Sequence, residues 1–445
     1  MTTTSSAGVR KAAVLNWTQA AAPGWRRLAG LPLLLRNVLV AQRAGIEEVV
    51  VVGGEDPARL LGRDSRVKLA WRWVRLDVAE NSNEVAALRR LAAEWKEDFL
   101  LFFADSVFDA PAAAALRAAP LDAKLARAAA APGSSDGVAT ASLFVCSAEL
   151  LRQATQYPPE TLAASGLLGL ASAAGNGSGL DKIEVPGSVW PRTSDRKALR
   201  GIQQELSRLS LKPSDGFYAR FNKMWLAQPL IRFFLRTPAT PNFITSLGLL
   251  LGLSAGLVFA HGGYWWAVAG SLLWFLSAIM DHIDGMVARL KFLESEFGTW
   301  FESFVDYAAT FSAYVGMTIG LYRESGVVHH LTVGGFFIFG AVMSFIVQSR
   351  QRRQMSSDNP ADYPNRMHRR LDENSQNLFL WFSRKAYFVA RRAVLPYYML
   401  IFCLLDLRVL FLGWSALGAN VLWIMTLYFN RLLRPTVPPA TAEAD

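Results

Sequence analysis

Apolar and polar residues follow two different patterns along the chain. Up to about residue 237, apolar runs of strand length alternate with polar and amphipathic stretches, whereas the later residues form long apolar runs bounded by polar or charged residues. The long runs predict six membrane spans, near residues 242–260, 264–280, 300–321, 333–348, 394–405 and 409–430. The fifth run is short, so its span either begins earlier, within residues 387–392, or is a buried core helix. Six spans place both ends of the bundle on one side.

The first half of the chain has the pattern of an α/β domain. Residues 11–54 pass from a strand-like run through a helix with apolar spacing to a second buried strand, which is a βαβ unit. Residues 98–109, DFLLFFADSVFD, form another buried strand with an acidic carboxyl end, where open α/β sheets bind ligands. The sequence therefore predicts a multidomain protein, in which an N-terminal α/β, Rossmann-like domain precedes an all-α bundle of six transmembrane helices.

A predicted amphipathic helix joins these two domains. Residues 199–211 have a helical pattern, the KPSDG segment at 212–216 breaks it, and a second helix follows over 217–236. The second helix mixes aromatic with basic residues, which suits a segment in the plane of the lipid headgroups, although a soluble linker helix is the alternative. These residues are Phe221, Trp225, Phe233 and Phe234 together with Arg220, Lys223, Arg232 and Arg236. The predicted divisions are residues 1–211, 212–238, 239–433 and a disordered tail at 434–445.

Charge orients the predicted domains relative to the membrane. The chain contains 46 Lys and Arg against 36 Asp and Glu, a net charge of +10. Residues 349–392 hold ten basic and four acidic residues, whereas the connections assigned to the other side carry only Arg323 and Arg408 as basic residues. The positive-inside rule therefore puts the termini, this loop and the N-terminal domain on the cytoplasmic side of the cytoplasmic membrane. Basic residues beside spans favour an anionic lipid surface over nucleic acid as the partner.

Two further features narrow the class of protein. The start, MTTTSSAGVRKAAVL, lacks the long apolar core of a signal peptide, so we expect about the first 200 residues to stay in the cytoplasm. The two cysteines, Cys146 and Cys403, fall in different predicted domains and give neither a zinc spacing nor a disulfide framework. We expect both to be packing residues.

Residues 281–306, DHIDGMVARLKFLESEFGTWFESFVD, set four carboxylates at fixed intervals. On helices, Asp281 and Asp284 share one face, as do Glu302 and Asp306 on the next helix, so two acidic faces can meet across a hairpin. Carboxylates beside hydrocarbon are costly unless cations neutralise them, and hard divalent ions prefer oxygen ligands, which predicts Mg²⁺ or Mn²⁺. A polar hairpin between spans is the alternative, but it explains neither the spacing nor the glycines of this segment.

The spacing of this acidic segment resembles the signature of the CDP-alcohol phosphatidyltransferase family. The chain matches it as Asp-x2-Asp-Gly-x2-Ala-Arg-x8-Gly-x3-Glu-x3-Asp, with Glu302 where the family has Asp. The resemblance implies four metal ligands, Asp281, Asp284, Glu302 and Asp306. It also implies that Asp306 acts as general base toward the acceptor hydroxyl. The extra methylene of Glu302 shifts its carboxylate by on the order of 1 Å, which is enough to change the metal coordination geometry or to misplace the attacking hydroxyl.

The resemblance also implies a nucleotide site beside the metal. Gly285, Ala288 and Arg289 would line its diphosphate part, with Arg289 as a fixed positive charge for a phosphate. The segment TPATPNFIT at residues 237–245 resembles the family's Pro-Asn-x-x-Thr entrance. Its Asn and Thr, here Asn242 and Thr245, would lie near the nucleotide. A proline followed by a capping polar residue is also an ordinary helix start, which is the alternative.

In the family, an acceptor hydroxyl attacks the phosphorus attached to the donor alcohol and expels CMP. The expected partners are a CDP-alcohol donor, an alcohol acceptor, the lipid bilayer and a second copy of the chain in a homodimer. CDP-diacylglycerol with an inositol phosphate, in phospholipid biosynthesis, is the favoured pair, and CDP-inositol is the alternative donor. A phosphorylated acceptor would meet the basic loop, where Arg391 and Arg392 are the first residues to test. A non-catalytic nucleotide sensor or scaffold remains the third hypothesis.

The N-terminal half resembles a nucleotidyltransferase of the sugar-nucleotide type over about residues 10–210. Of the glycine-rich phosphate loop of that family, Gly24 and Arg26 remain, and Asp105 matches its strand-end metal ligand. The segment that supplies the second carboxylate reads Trp-Pro-Arg-Thr at residues 190–193. Loss of the phosphate clamp and of one carboxylate predicts a catalytically silent domain. The fusion of the two halves resembles bifunctional inositol-phosphate cytidylyltransferase and CDP-inositol phosphotransferase proteins.

Overall fold

A computed structural model of the chain describes residues 9–16, 26–76, 84–92, 95–121, 126–130, 142–156, 180–190, 195–211, 217–355 and 394–432. The chain divides into two compact units, Met1–Leu209 and Ser210–Asp445. In its described residues, the first unit combines strands with helices and the second is helical.

The described strands of the first unit are β1 (Lys11–Asn16), β2 (Arg27–Leu28), β3 (Leu31–Pro32), β4 (Glu48–Gly53), β5 (Ala70–Arg75), β6 (Phe99–Phe103), β7 (Val107–Phe108), β8 (Ala126–Ala130), β9 (Leu143–Cys146), β10 (Leu180–Glu184) and β11 (Val189–Trp190). Its described helices are α1 (Leu33–Arg43), α2 (Ala58–Leu61), α3 (Glu84–Ala92), α4 (Ala110–Ala118), α5 (Ala148–Gln156) and α6 (Arg196–Leu209). Seven strands form one sheet in the order β10-β8-β9-β6-β1-β4-β5. Strands β6, β1, β4 and β5 run parallel, which confirms the predicted α/β class and its βαβ unit.

The central strands are apolar along their length because both faces of a parallel sheet are covered. The four valines at 49–52 in β4 are fully buried, and all five residues of β6 are buried as well. Because β6 ends at Phe103, Asp105 follows it at the carboxyl end of the strand, as predicted. The buried Asn37 of α1 fixes this turn by donating a hydrogen bond of 2.8 Å to the Ser106 carbonyl.

The second unit contains α7 (Phe217–Phe221), a π-helical turn (Asn222–Leu226), α8 (Gln228–Arg236), α9 (Pro241–Phe259), α10 (Tyr264–Lys291), α11 (Glu296–Ser325), α12 (His329–Met355), α13 (Leu395–Leu404) and α14 (Arg408–Leu432). Helices α9 to α14 lie at the six predicted spans. By length and composition, four described segments can cross a membrane, Pro241–Phe259, Tyr264–Lys291, His329–Val347 and Arg408–Met425. The all-α character of this half is therefore confirmed, whereas the predicted number of spans agrees only roughly.

Helices α11 and α13 are the two of the six that are not among the segments able to cross a membrane by length and composition. Helix α11 is long, at 30 residues, but carries Glu302 and Asp306. Helix α13 has only 10 residues. The earlier start proposed for that span, within residues 387–392, lies outside the described residues, as do Arg391 and Arg392.

Two predicted segments differ from the helices found there. The second span was predicted to end at Met280, and α10 continues beyond it to Lys291, so it includes Asp281 and Asp284, which were expected on a helix. The charged residues end the apolar run but not the helix. The single helix predicted over residues 217–236 is interrupted by the π-helical turn, and Pro229 lies in the first turn of α8, where its missing N–H leaves no helical hydrogen bond unmade.

Glycines bring α9 and α11 into close contact. A Cβ atom on Gly316 of α11 would meet the backbone carbonyl of Gly256 in α9, and one on Gly252 of α9 would meet Ala309. Ser277 of α10 also contacts α9, because it donates a hydrogen bond of 2.7 Å to the Gly248 carbonyl. Helix α9 thus holds α10 and α11, the two helices that carry the acidic residues, close to itself.

The core of the helical unit gathers around Tyr314. This residue is fully buried, stacks on Phe337 with ring centroids 3.7 Å apart, and donates a hydrogen bond of 2.9 Å to Ser415 Oγ. Cys403 packs in the same core, and Cys146 packs in the core of the sheet. Both thiols are free and buried, and burial raises the pKa of the Cys146 thiol, so the two cysteines are the packing residues that were expected.

Candidate active site

The turn between α10 and α11 brings three predicted metal ligands together. Asp281 and Asp284 lie on α10 and Glu302 on α11, and one carboxylate oxygen from each lies within 4.8 Å of the others. Phe292 ends α10 in a left-handed conformation, with φ 58°, and Ser295 caps α11 by accepting a 3.0 Å hydrogen bond from the Gly298 amide. The two acidic helix faces therefore meet across a short hairpin.

Asp306 lies on the same side of α11, one turn beyond Glu302. It lines a cavity of about 240 Å³ together with Asp281, Asp284 and Glu302. The three-residue cluster found among the described residues does not include it. The cavity therefore contains a close set of three carboxylates and a fourth that stands apart from them.

Thr245 joins α9 to this cluster. Its Oγ1 donates a hydrogen bond of 2.5 Å to Asp284 Oδ2, and both side chains are buried. Thr245 was predicted to lie near the nucleotide, whereas the structure shows its hydroxyl on a candidate metal ligand. Asn242, the other predicted residue of this entrance, lies beside the second helix of the hairpin, since a Cβ on Gly298 would be 3.4 Å from Asn242 Oδ1.

The predicted diphosphate residues form one flank of α10. The Arg289 guanidinium lies over Gly285, where a Cβ atom would be 3.4 Å from Arg289 Nη1, and it acts electrostatically on Asp284. Arg289 Nε has no hydrogen-bond partner among the described residues. Gly285, Ala288 and Arg289 do not line the described cavity. A phosphate on this flank would therefore lie beside the carboxylates and not inside the cavity.

Two buried lysines of the helical unit were not identified from the sequence. Lys223, in the π-helical turn, acts electrostatically on Asp281. Lys291, at the end of α10, donates hydrogen bonds to the carbonyls of Phe234, Thr237 and Ala239 at 2.9, 2.8 and 3.1 Å. Lys223 was treated as a surface charge of an amphipathic helix, and its sequence position gives no sign of burial. The three acceptors of Lys291 are backbone atoms, which a side-chain pattern cannot reveal.

Other residues complete the cavity wall beside the acids. His282 is nearly buried, with Nδ1 3.7 Å from Asp281 Oδ2. Residues of α9, α10, α11 and α13 line the remainder, and they include the polar Ser277, Ser303 and Thr310 and the apolar Trp274, Val305 and Pro396. The cavity is therefore acidic at one end and mixed in polarity elsewhere.

The donor set fits a hard divalent cation. Three carboxylates of like charge at this separation repel one another, and Asp284 is only 3% exposed to solvent. A cation relieves that repulsion, and carboxylate oxygens are the ligands that Mg²⁺ and Mn²⁺ prefer. Asp281, Asp284 and Glu302 are the residues that could hold it, because their oxygens converge.

Residues 238–425 match the family model of CDP-alcohol phosphatidyltransferases. The chain is also 29% identical over 130 residues to the bifunctional IPC transferase and DIPP synthase of Aquifex aeolicus, a match that covers 29% of each protein. An uncharacterized protein of the same organism is 38% identical over 82 residues, 18% of this chain and 40% of that protein. The chain thus spans less than half the length of these relatives. The predicted family resemblance of the second half is confirmed.

Solved structures of nucleotidyltransferases resemble the chain only distantly. The inositol-1-phosphate CTP transferase of T. maritima is 14% identical, with a TM-score of 0.33 over 43% of this chain and 94% of that one. A UDP-glucose pyrophosphorylase is 9% identical, with a TM-score of 0.37 over 45% of this chain and 99% of that one. The seven-stranded sheet of the first unit itself shows the α/β class.

Proposed function

We propose that this chain, which has a CDP-alcohol phosphatidyltransferase domain at residues 238–425, transfers a phosphoalcohol from a CDP-alcohol to an acceptor hydroxyl and releases CMP. The observation that carries the proposal is the convergence of Asp281, Asp284 and Glu302 within 4.8 Å in one cavity. Carboxylates this close, of which Asp284 is buried and the other two are partly buried, are costly without a cation. A CDP-alcohol needs cations at its diphosphate, so this site and this substrate match in charge.

Each residue has a distinct part in the proposed transfer. Asp281, Asp284 and Glu302 hold the Mg²⁺ or Mn²⁺, and Thr245 orients Asp284 through their hydrogen bond. When bound there, the cation neutralises the diphosphate and stabilises the departing phosphate. Arg289, on the flank of α10, binds a phosphate oxygen as a fixed positive charge. Gly285 and Ala288 lie on the same flank and line the diphosphate site, because their small size leaves room for the diphosphate.

Asp306 is the proposed general base. It shares the cavity but stands outside the close set of three, so its carboxylate can accept a proton without leaving a cation. It takes the proton of the acceptor hydroxyl while the oxygen bonds to the phosphorus that carries the donor alcohol. The bond from that phosphorus to the CMP oxygen breaks, and CMP leaves with the electron pair.

CDP-diacylglycerol is the donor that we favour, with an inositol phosphate as acceptor. Two of the helices that line the cavity, α9 and α10, are apolar enough for a membrane, which suits a donor with acyl chains. A silent N-terminal domain would also leave the chain without its own supply of a CDP-polyol. CDP-inositol is the second candidate, because the Aquifex relative is named as a bifunctional IPC transferase and DIPP synthase.

The proposal includes a location and an assembly. The active site and the N-terminal domain would lie on the cytoplasmic side of the cytoplasmic membrane, as the charge of residues 349–392 indicates. The homodimer rests on the family resemblance. Arg391 and Arg392 remain the proposed contacts for an acceptor phosphate.

Purified full-length protein tests the reaction directly. It would be incubated with Mg²⁺, with CDP-diacylglycerol or CDP-inositol, and with a panel of polyols and their phosphates, and CMP would be measured by chromatography. We expect CMP from CDP-diacylglycerol with an inositol phosphate, and a loss of roughly 10²–10⁴-fold in Asp306→Asn. If no pair yields CMP while the protein binds Mn²⁺ and CDP, transfer is contradicted and the nucleotide sensor or scaffold is favoured.

A further inference from the structure

Lys223 is a buried cation beside the candidate metal site. It is 7% exposed, although lysine side chains are mostly exposed in folded proteins. The π-helical turn that contains it packs against α10, and its charge acts on Asp281 of that helix. An ammonium group is costly to bury unless nearby negative charge compensates it, so the acidic cluster is part of what permits this burial.

The π-helical turn determines which way this segment faces. The Ala227 amide donates a 2.7 Å hydrogen bond to the Asn222 carbonyl, five residues back, and Gln228 Nε2 donates one of 3.1 Å to the Lys223 carbonyl. Within the turn, Lys223 is buried while Trp225 is 73% exposed. An extra residue in one helical turn shifts the following side chains around the axis, and such turns occur frequently at functional sites.

Lys291 fixes the other end of the same segment. The three carbonyls that receive its hydrogen bonds lie at and just beyond the end of α8, where helical carbonyls lack partners within the helix. A cation is also favoured at that end of a helix. Because Lys291 belongs to α10, the helix that carries Asp281 and Asp284 also holds the segment that carries Lys223.

Two positive charges therefore act on the carboxylates, Lys223 on Asp281 and Arg289 on Asp284. A divalent cation that binds Asp281 competes with Lys223 for that carboxylate. Once the carboxylate is ligated, the buried ammonium requires another anion, and the diphosphate held by the same cation is the nearest suitable group.

We infer that Lys223 is a further binding residue of this site, which faces Asp281 in the free protein and contacts the donor diphosphate once a divalent cation occupies the carboxylates. The inference rests on the proposed function for the identity of the anion. By this inference, residues 217–236 are a part of the active site and not only a contact with lipid headgroups.

The test uses two binding measurements that require no turnover. Mn²⁺ binding to the full-length protein would be followed by electron paramagnetic resonance, and CDP binding in saturating Mn²⁺ by calorimetry. For Lys223→Met, we expect tighter Mn²⁺ binding without nucleotide, because a repelling charge is gone, and CDP binding weaker by about tenfold, because a charged hydrogen bond is lost. Binding of CMP, which lacks the second phosphate, should weaken less.

Matched variants separate this role from folding. Lys223→Arg keeps the charge and should bind Mn²⁺ and CDP nearly as the native protein does. Arg220→Met removes an exposed cation three positions earlier and should change neither affinity. Lys223→Gln replaces Lys223→Met should that variant fail to fold.

The inference is overturned if neutral variants of Lys223 bind Mn²⁺ and CDP like the native protein, or if Arg220→Met matches them. The proposed function can fail separately. If the protein releases CMP but the Lys223 variants bind Mn²⁺ and CDP with native affinity, only this inference is contradicted. If the affinities change but the protein releases no CMP, only the proposed transfer reaction is contradicted.

Discussion

Thr245 Oγ1 donates a 2.5 Å hydrogen bond to Asp284 Oδ2, which links the first helix of the bundle to a candidate metal ligand on the second. Thr245 is 5% exposed, so water does not replace this donor readily. A hydrogen bond to a ligating carboxylate fixes the orientation of that ligand. Thr245 therefore positions the candidate metal ligand Asp284. The resemblance to the Pro-Asn-x-x-Thr entrance had implied only that Thr245 lies near the nucleotide.

Thr245→Val should weaken divalent cation binding. The substitution keeps the shape of the side chain but removes the donor, and loss of such a partner costs about 10–100-fold in metal affinity. Mn²⁺ titration measures this effect. Thr245→Ser should restore the affinity, and Ser246→Ala, on the exposed side of the same helix, should leave it unchanged. Equal affinities in Thr245→Val and the native protein would exclude the positioning role.

Glu302→Asp should weaken cation binding even though it restores the residue of the family. Glu302 already reaches Asp281 and Asp284, and the shorter side chain withdraws its carboxylate by on the order of 1 Å. We expect Mn²⁺ affinity to fall by about tenfold, and further in Glu302→Gln. Glu296→Asp shortens an exposed acid on the same helix and serves as the control. Tighter Mn²⁺ binding by Glu302→Asp would contradict this prediction and show that Glu302 binds the cation less well than the aspartate of the family.

The part of the site that could be predicted from the sequence is the set of side chains that share one helix face. The spacing of Asp281, Asp284 and Glu302 gave both their shared faces and their convergence, because the hairpin between two helices is short. The buried position of Lys223 could not be predicted, since it depends on a π-helical turn within a segment that has an ordinary amphipathic pattern. The three bonds of Lys291 depend on backbone acceptors distant in the chain.

The fold was predictable for a similar reason. Continuous apolar runs such as β4 and β6 identify strands that are covered on both faces, and long apolar runs identify the bundle. The end of α10 was not predictable from hydropathy, because Asp281 and Asp284 end the apolar run while they line a cavity within the protein. The order of the strands in the sheet also depends on packing between distant segments, which periodicity does not encode.

Gly316→Ala should destabilise the helical unit. The added methyl group would meet the backbone carbonyl of Gly256 where α9 and α11 are in contact, and overpacking of this kind costs about 1–3 kcal/mol. Thermal unfolding in detergent should show a lower midpoint. Gly413→Ala is the control, because nothing lies within 4 Å of its added Cβ. A midpoint equal to that of Gly413→Ala would contradict the close contact of these two helices.

The N-terminal domain should not transfer a nucleotide. Asp105 follows β6, but Asp109 caps α4 and accepts a 2.9 Å hydrogen bond from the Ser188 amide, so it serves the fold. We expect full-length protein given CTP, Mg²⁺ and an inositol phosphate to release no pyrophosphate, while the same preparation binds CDP. Pyrophosphate release that Asp105→Asn abolishes would prove this prediction wrong.

The position of the bound cation tests the central claim most directly. Crystals of the full-length protein grown with Mn²⁺ and CDP would be measured at the manganese absorption edge, where anomalous scattering locates the metal. The account predicts a peak at ligand distance from the carboxylates of Asp281, Asp284 and Glu302, in contact with the diphosphate. A peak elsewhere, or CDP bound away from these three residues, would contradict it.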